Sequence, residues 1–324
     1  MVKIGLLGAG HLGKIHIKCL KSIEEFEFVG FYDSNAEIRE TVSKEYNIKS
    51  FNSMAELIDA VDAVDIVTTT TNHFDCAVAA LKKDKHLFIE KPVVSTYQEA
   101  EQLEIFAQHS KSLIQIGHVE RFNPAFIAVQ DIINGPIFME AHRLAPYYTR
   151  GTDVSVILDL MIHDIDILLH TVKSKITHVS ACGVPIVSKT TDIANARVEF
   201  ENGPTANLTA SRLSMKKMRK TRIFQPNNYI LIDYLNQVSE VTTIDDNPDY
   251  NDPFALIIED ADGYKSPRQL KFSKPKIQKI NSIETELRCF HNSIVNNVDT
   301  LVNLNDGIAA LKLALQINDI VKQS

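Results

Sequence analysis

The chain has 324 residues, with 34 Lys and Arg against 41 Asp and Glu, a net charge of −7, and 44% hydrophobic and 23% charged residues. That length suits two domains with separate cores, the composition is that of a globular protein, and the acidic balance argues against a general nucleic-acid binder. No run approaches the ~18 apolar residues of a membrane helix, the N-terminus lacks an export pattern, and Cys19, Cys76, Cys182 and Cys289 are too far apart for a disulfide framework or a zinc knuckle, so a cytoplasmic protein is expected.

Residues Val2 to Gly13 read Val-Lys-Ile-Gly-Leu-Leu-Gly-Ala-Gly-His-Leu-Gly. An apolar run short enough for a buried strand breaks at Gly8-Ala-Gly10-His11-Leu12-Gly13 and then opens an apolar-periodic helix. A G-x-G-x-x-G in that context is the pattern of a dinucleotide site. Gly8 permits the tight turn, Gly10 lets backbone approach a pyrophosphate, and Gly13 lets helix and strand pack closely. The free N–H groups and dipole of the helix start then hold the phosphates. An ordinary strand-to-helix turn is the competing interpretation. The next strand, Phe26 to Tyr32, ends in Asp33, twenty residues after Gly13, where a carboxylate accepts from an adenine ribose 2′-hydroxyl. It would repel a 2′-phosphate, so NAD is expected rather than NADP, although Arg39 could swing toward that pocket.

Strands and helices go on alternating to about Gly117, as in a parallel sheet covered on both faces. Helices are expected over Ala36–Tyr46, Ser53–Ala60, Phe74–Lys83 and Thr96–His109, and strands over Ala63–Thr69, His86–Ile89 and Leu113–Ile116. The Thr68–Thr71 run places Thr69 and Thr70, with His73 after them, at the carboxyl end of a strand, where hydroxyls face a cofactor crevice. β-Branched residues also simply suit a strand end. At Glu90-Lys91-Pro92 the proline biases Lys91 away from the helical region, so its ammonium projects from a strand end toward a nicotinamide. Such a lysine can donate to a substrate hydroxyl; a solvated loop lysine is the plain alternative. His118 and Arg121 lie just past a sheet end, either reaching a substrate or forming a surface pair. Asn123-Pro124 reads first as a helix cap and second as a ligand.

The second domain is expected to hold a buried helix over Val154–Val172. Asp159, His163, Asp166 and His170 recur there at steps of four, three and four, on one face. Asp159 can orient His163 as a general base, though a satisfied buried pair or a metal site is also open. Strands follow or flank it at Ile137–Leu144, Thr177–Val187, Ile193–Phe200, Thr205–Ser214, Arg219–Phe224 and Tyr229–Tyr234, with Glu201-Asn-Gly203 as a hairpin turn. This is a largely antiparallel, half-exposed sheet, whose open face invites self-association into a homodimer or homotetramer. Lys216–Arg222 is a basic cluster, either a solvated rim or a lure for a diphosphate. Asp246–Gln269 reads as a flexible excursion, and helices Ser282–Asn297 and Asp306–Lys322 close the chain.

With these residues in place, the chain resembles the Gfo/Idh/MocA oxidoreductases over essentially its whole length. The resemblance rests on Gly8-x-Gly10-x-x-Gly13, Asp33, the threonine strand end with His73, Glu90-Lys91-Pro92 and the Asp159 to His163 helix. It implies a Rossmann domain over 1–119 and a substrate-binding and oligomerisation domain over 120–324. The implied cofactor is NAD, held by Gly8, Gly10, His11, Leu12, Gly13, Asp33, Thr69, Thr70, His73, Glu90, Lys91 and Pro92, with no metal. The stretches from Gly117 to Pro124, Arg143 to Pro146, Leu158 to Asp166 and Ser211 to Ser214 resemble the branch of that family that oxidises C3 of UDP-N-acetylglucosamine on the way to lipid A. On that basis a ring hydroxyl sits between Lys91 and His163, His163 takes its proton, Lys91 steadies the alkoxide and Asp159 orients His163. His118, Arg121, Asn123 and Arg143 are implied as further substrate contacts, the arginines to a diphosphate. Another sugar or an inositol as substrate, or a non-catalytic dinucleotide sensor, are the alternatives.

Overall fold

The computed structural model describes residues 1–148, 154–259 and 266–323. Its N-terminal part runs β1 (Val2–Leu7), α1 (His11–Ser22), β2 (Phe26–Tyr32), α2 (Ala36–Tyr46), α3 (Met54–Asp59), β3 (Ala63–Ile66), α4 (His73–Leu81), β4 (His86–Glu90), α5 (Tyr97–Gln108) and β5 (Ile114–Gly117). The five strands pair in parallel in the order β2-β1-β3-β4-β5. They are mostly apolar because helices cover both faces: Ile4, Leu6, Ile66, Leu87, Phe88 and Ile89 are all fully buried. Most helix starts carry side-chain caps. Asn35 accepts from the Glu37 and Ile38 N–H groups, Ser53 from Glu56, and Thr96 forms a reciprocal box with Glu99. At α1 the capping position is Gly10, and no side chain among the described residues caps it.

The chain continues through α6 (Pro124–Ile127), β6 (Phe138–Leu144), α7 (Ile162–Thr171) and then β7 (Ile176–Val184), β8 (Ile193–Phe200), β9 (Thr205–Ser211), β10 (Met218–Gln225), β11 (Asn228–Asp233), β12 (Val238–Asp245), β13 (Leu256–Ile258) and β14 (Arg268–Ser273). It ends in α8 (Ser282–Asn296) and α9 (Leu304–Gln323). Strands β6 to β14 form one sheet in the order β13-β14-β12-β11-β10-β6-β9-β8-β7. Its pairs are antiparallel except β6 with β9. Burial alternates along β6, β8 and β10, so one face meets the core and the other is open. On the open face Phe224 lies across from Phe138 and Tyr229, with ring centroids 5.8 and 4.9 Å away.

Two expectations change. Strands β12, β13 and β14 were not foreseen, and β13 with part of β14 falls in the supposed excursion over Asp246–Gln269, of which residues 260–265 lie outside the described residues. β12 is rich in hydroxyl and acidic residues, and β13 is a three-residue edge strand with Leu256 and Ile258 exposed, so neither shows the apolar alternation that marks a strand. The second change concerns α8. The chain forms two compact units, Met1–Phe122 with Asn281–Leu315, and Asn123–Ile280 with the residues from Gln316 onward. α8 therefore belongs with the first unit, not with a domain over 120–324, because Leu287 and Phe290 are fully buried in the cluster of Ile4, Leu6, Ile17, Phe31 and Phe88. Phe290 meets Phe88 edge-on at 6.0 Å between centroids.

Candidate active site

In the first unit β1 is the point where strand order reverses, with β2 on one side and β3 on the other. Crevices form at the carboxyl ends of strands at such a point. The glycine loop lies there. Gly8 has φ +93° and would press a Cβ to 2.7 Å from Thr68 backbone. A Cβ on Gly13 would come to 2.0 Å from the Gly8 carbonyl oxygen. Gly10 faces open space, with nothing within 4 Å of its Cβ position among the described residues. Asp33 closes the loop from β2: Oδ2 accepts the Ala9 N–H at 2.8 Å and Oδ1 the Asn35 N–H at 2.9 Å. Each oxygen keeps a further lone pair for a ribose hydroxyl. Arg39 donates through Nη1 to the Asp33 carbonyl at 2.7 Å. Its guanidinium lies 5.6 Å from the Tyr32 ring centre, so the one cation suspected near this pocket does sit at it. The open side of Gly10, the uncapped start of α1 and an acidic strand end fit the pyrophosphate and adenosine half of NAD.

β3 ends at Ile66, short of the expected Thr69, because the Thr69 hydroxyl turns inward to Thr71 Oγ1 at 3.2 Å and accepts from Asn72 Nδ2 at 2.9 Å, winding a short turn over Thr70–Asn72. His73 is buried, 1% exposed, with Nδ1 2.9 Å from the Pro92 carbonyl oxygen and Nε2 3.2 Å from that of Thr68. His73 thus bridges the loops after β3 and β4. Between them Lys91 precedes Pro92 across a cis bond. Its N–H donates to Glu90 Oε2 at 3.2 Å. His118 and Arg121 follow β5 and are 1% and 3% exposed, so neither is a surface residue; Arg121 Nη2 is 3.9 Å from Asp306 Oδ1.

Beneath Lys91 lies a polar cluster of which the sequence reading singled out only Glu90, as a cofactor contact. His16, Asp65, Glu90, Gln115 and Glu286 are all buried. The signal was present: His16 interrupts an apolar stripe and Asp65 an apolar parallel strand. Glu286 has no hydrogen-bond partner for either carboxyl oxygen among the described residues. Burial, and then the charge of Glu90, hold it well above the carboxylate range, with His16 opposing. The folded state therefore binds a proton that the unfolded state releases near the ordinary Glu value of ~4.3, and stability falls as pH rises from there toward the folded pKa, by about 1.4 kcal/mol per pH unit in that window. Replacing Glu286 by the neutral Gln is expected to flatten the decline, a difference of about 3–6 °C in Tm per pH unit for a unit of this size. Melting both proteins between pH 5 and 9 checks this, and parallel curves would acquit Glu286. His16, raised well above its ordinary value, contributes stability that is full below ~6.5 and lost above it, and this part persists in the variant.

In the second unit Asn123 Oδ1 accepts the Ala125 N–H at 3.1 Å and Nδ2 donates to the Tyr234 carbonyl at 3.1 Å, with Pro124 opening α6. Asn123 is a cap, the first of the two readings given to it. Arg143 is buried and donates through Nε and Nη2 to Asp164 Oδ2 and Oδ1, both at 2.9 Å. Arg143 thus forms a bidentate pair with Asp164. α7 is preceded by a π-helical turn over Ile157–Met161, in which the Ile162 N–H reaches back to the Ile157 carbonyl. Asp159 lies in that wide turn and His163 in the first regular turn, both half-exposed. Asp166 is 1% exposed, the most deeply buried of the four polar residues. The start of this segment is held by Arg212, whose guanidinium donates to the Val154 carbonyl and lies 3.8 Å from Asp192 Oδ1. Burial works against a charge on Asp192, but the Ser188 hydroxyl and the N–H groups of Ser188, Val187 and Ile186 keep its carboxyl well below the usual range.

The first unit has the architecture of an NAD-dependent dehydrogenase. Residues 2–118 match the oxidoreductase family with an NAD-binding Rossmann fold, and residues 136–226 match the Gfo/Idh/MocA C-terminal domain. The chain is 37% identical over 241 residues, 74% of its own length and 76% of the relative's, to a UDP-N-acetylglucosamine 3-dehydrogenase of Acidithiobacillus ferrooxidans. It therefore belongs to the Gfo/Idh/MocA oxidoreductase family, and it is an NAD-binding dehydrogenase of CH–OH groups. The solved structure of UDP-N-acetylglucosamine 3-dehydrogenase GnnA from Acidithiobacillus ferrooxidans covers 99% of this chain and 98% of its own at TM-score 0.87 and 31% identity. A scyllo-inositol dehydrogenase from Lactobacillus casei, solved with NAD(H) and scyllo-inositol, covers 100% and 97% at TM-score 0.78 and 22% identity, a likeness of fold alone.

Proposed function

We propose that this enzyme oxidises a ring hydroxyl of a nucleotide sugar to a ketone, the C3 hydroxyl of UDP-N-acetylglucosamine. The observation that carries the reading is the likeness to UDP-N-acetylglucosamine 3-dehydrogenase over almost the whole chain at 31% identity, against 22% for the inositol enzyme. In this reading His163 takes the hydroxyl proton, the task for which an imidazole is suited near neutral pH. Asp159 keeps the ring oriented. The Lys91 ammonium stabilises the negative charge that builds on the same oxygen, and His118 and Arg121 contact the substrate. Bound NAD supplies the acceptor for the hydrogen that leaves carbon with its electron pair, so the alcohol loses one proton and one hydride.

A homodimer or homotetramer in the cytoplasm, feeding a 3-amino sugar toward lipid A, completes the proposal. Its support is the exposed apolar set on the large sheet, including Met218, Phe224 and Phe272, and the lack, among the described residues, of a helix long and apolar enough to cross a membrane. The test is the near-ultraviolet absorbance of reduced nicotinamide when the protein meets NAD and UDP-N-acetylglucosamine, with a sugar aminotransferase and glutamate to draw off the ketone. A rise that needs the nucleotide sugar establishes reaction and substrate. No rise, with NAD binding intact by calorimetry, overturns the substrate and turns the search to free sugars and inositols.

A further inference from the structure

We propose that His16 is a positioning residue for catalysis: wedged between Asp65 and Glu90, it fixes the Glu90 carboxylate and, through it, the point at which Lys91 leaves the sheet. The inference rests on the reading of Lys91 as a catalytic residue. His16 sits on α1 one turn after the glycine loop, fully buried. Nδ1 lies 2.9 Å from Asp65 Oδ2 on β3, and Nε2 lies 3.2 Å from Glu90 Oε1 at the end of β4, in ion-pair reach though not aligned as a hydrogen bond. The other Glu90 oxygen accepts the Lys91 N–H. The carboxylate rests on Gly117 at the end of β5, where a Cβ would stand 2.7 Å from Glu90 Oε1. One imidazole thus ties the helix that opens the cofactor site to β3 and β4.

A neutral imidazole has a single N–H, and its bare nitrogen 3.2 Å from a carboxylate oxygen would be repelled. Both contacts attract only when both nitrogens carry protons. Burial opposes that charge, but Asp65 and Glu90 outweigh it and raise His16 well above its ordinary value. Glu90 is kept below its own, against burial, by His16 first and Lys91 second. The consequence is chemical. With His16 as counter-ion, Glu90 does not depend on Lys91 alone for neutralisation. The other titratable groups acting on this cluster are Glu286 on α8, Glu120 after β5, His73 at the start of α4 and Cys19 on α1 itself.

The test compares wild type with His16→Gln, Asp65→Asn and the control Lys91→Ala, after melting curves confirm folding and calorimetry confirms NAD binding. His16→Gln is expected to lower kcat about 10–100-fold, as for a reacting group displaced by about an ångström. It should also move the alkaline limb of kcat/KM to higher pH, because Glu90 then faces Lys91 without its partner cation, and hydrogen exchange at the Lys91 amide should quicken about tenfold. Asp65→Asn, which leaves His16 in place without its anchor, should move all three in the same direction by less. It decides the matter by the same readouts should His16→Gln not fold. An unchanged kcat and alkaline limb in a folded variant would leave His16 a stability residue only and overturn the inference. Lys91→Ala turning over at the wild-type rate would instead remove the reading on which it rests.

Discussion

Lys91→Ala and His163→Ala are each expected to lower kcat with the sugar substrate by about 10²–10⁴-fold, the range for losing a positioned acid or base, while NAD still binds. The two losses differ in kind. His163 lies on the first regular turn of α7, half-exposed, its entry held by Arg212 on the Val154 carbonyl. Removing it takes away a proton acceptor, so the acid limb of the pH–rate profile should vanish and added imidazole should restore part of the rate. Lys91 stands at a strand end fixed by Pro92 and by its N–H on Glu90. Removing it deletes a charge that acts on the developing alkoxide, so kcat and kcat/KM should fall together. On the proposed mechanism, the double variant should be little worse than the slower single one. Near-native turnover in both single variants, with NAD bound, would show that the proton and charge roles belong to other residues.

The first unit was legible almost element by element because parallel strands buried on both faces are written as short apolar runs, and its helices announce themselves through Asn35, Ser53 and Thr96. The second unit was legible where alternation was strong, as along Ile193–Phe200 and Thr205–Ser211. It failed at β12 to β14, where β12 is rich in hydroxyl and acidic residues and the edge strand β13 needs little apolar surface. α8 was read correctly as an amphipathic helix. Which core its Leu287 and Phe290 would enter depends on a fold-back across the whole chain, which no local pattern records.

The site divides in the same way. Motif residues fixed in relation to a strand end, namely Gly8, Gly10, Gly13, Asp33 and Lys91, fell where the spacing placed them. Residues judged only by charge and position in sequence did not all do so. Arg143 could be a ligand or half of an ion pair, and its partner Asp164 lies on another element, so only the folded chain reveals the bidentate pair. His73 was placed correctly at the strand end, yet it faces two carbonyls inside the unit. The His16 cluster was passed over because buried charge is rare in apolar elements, although that rarity is what made His16 and Asp65 informative.

Gly13→Ala and Gly10→Ala should separate what the fold needs from what the cofactor needs. At Gly13 a methyl would meet the Gly8 carbonyl oxygen at 2.0 Å and its carbon at 2.9 Å. Both are backbone atoms of the turn itself, whose φ of +93° already demands glycine at Gly8, so nothing can yield without moving β1 from α1. The cost should reach about 3 kcal/mol, the upper part of the overpacking range, seen as a Tm lower by about 6–12 °C at 2–4 °C per kcal/mol, and NAD affinity should fall with it. At Gly10 the backbone has φ −67° and ψ −159°, open to alanine, and the Cβ position is clear among the described residues. Gly10→Ala should therefore melt within about 1 °C of wild type. Its effect should appear only when NAD is added, because the methyl takes the side from which a pyrophosphate approaches the start of α1: affinity should drop about 100-fold, or about 2.8 kcal/mol, with the fold intact. Calorimetry and melting of both variants read the two effects apart. A Gly10→Ala protein that binds NAD as wild type does would mean that the phosphates lie away from the α1 N-terminus, and the dinucleotide would then have to be held mainly through Asp33 and the loops after β3 and β4.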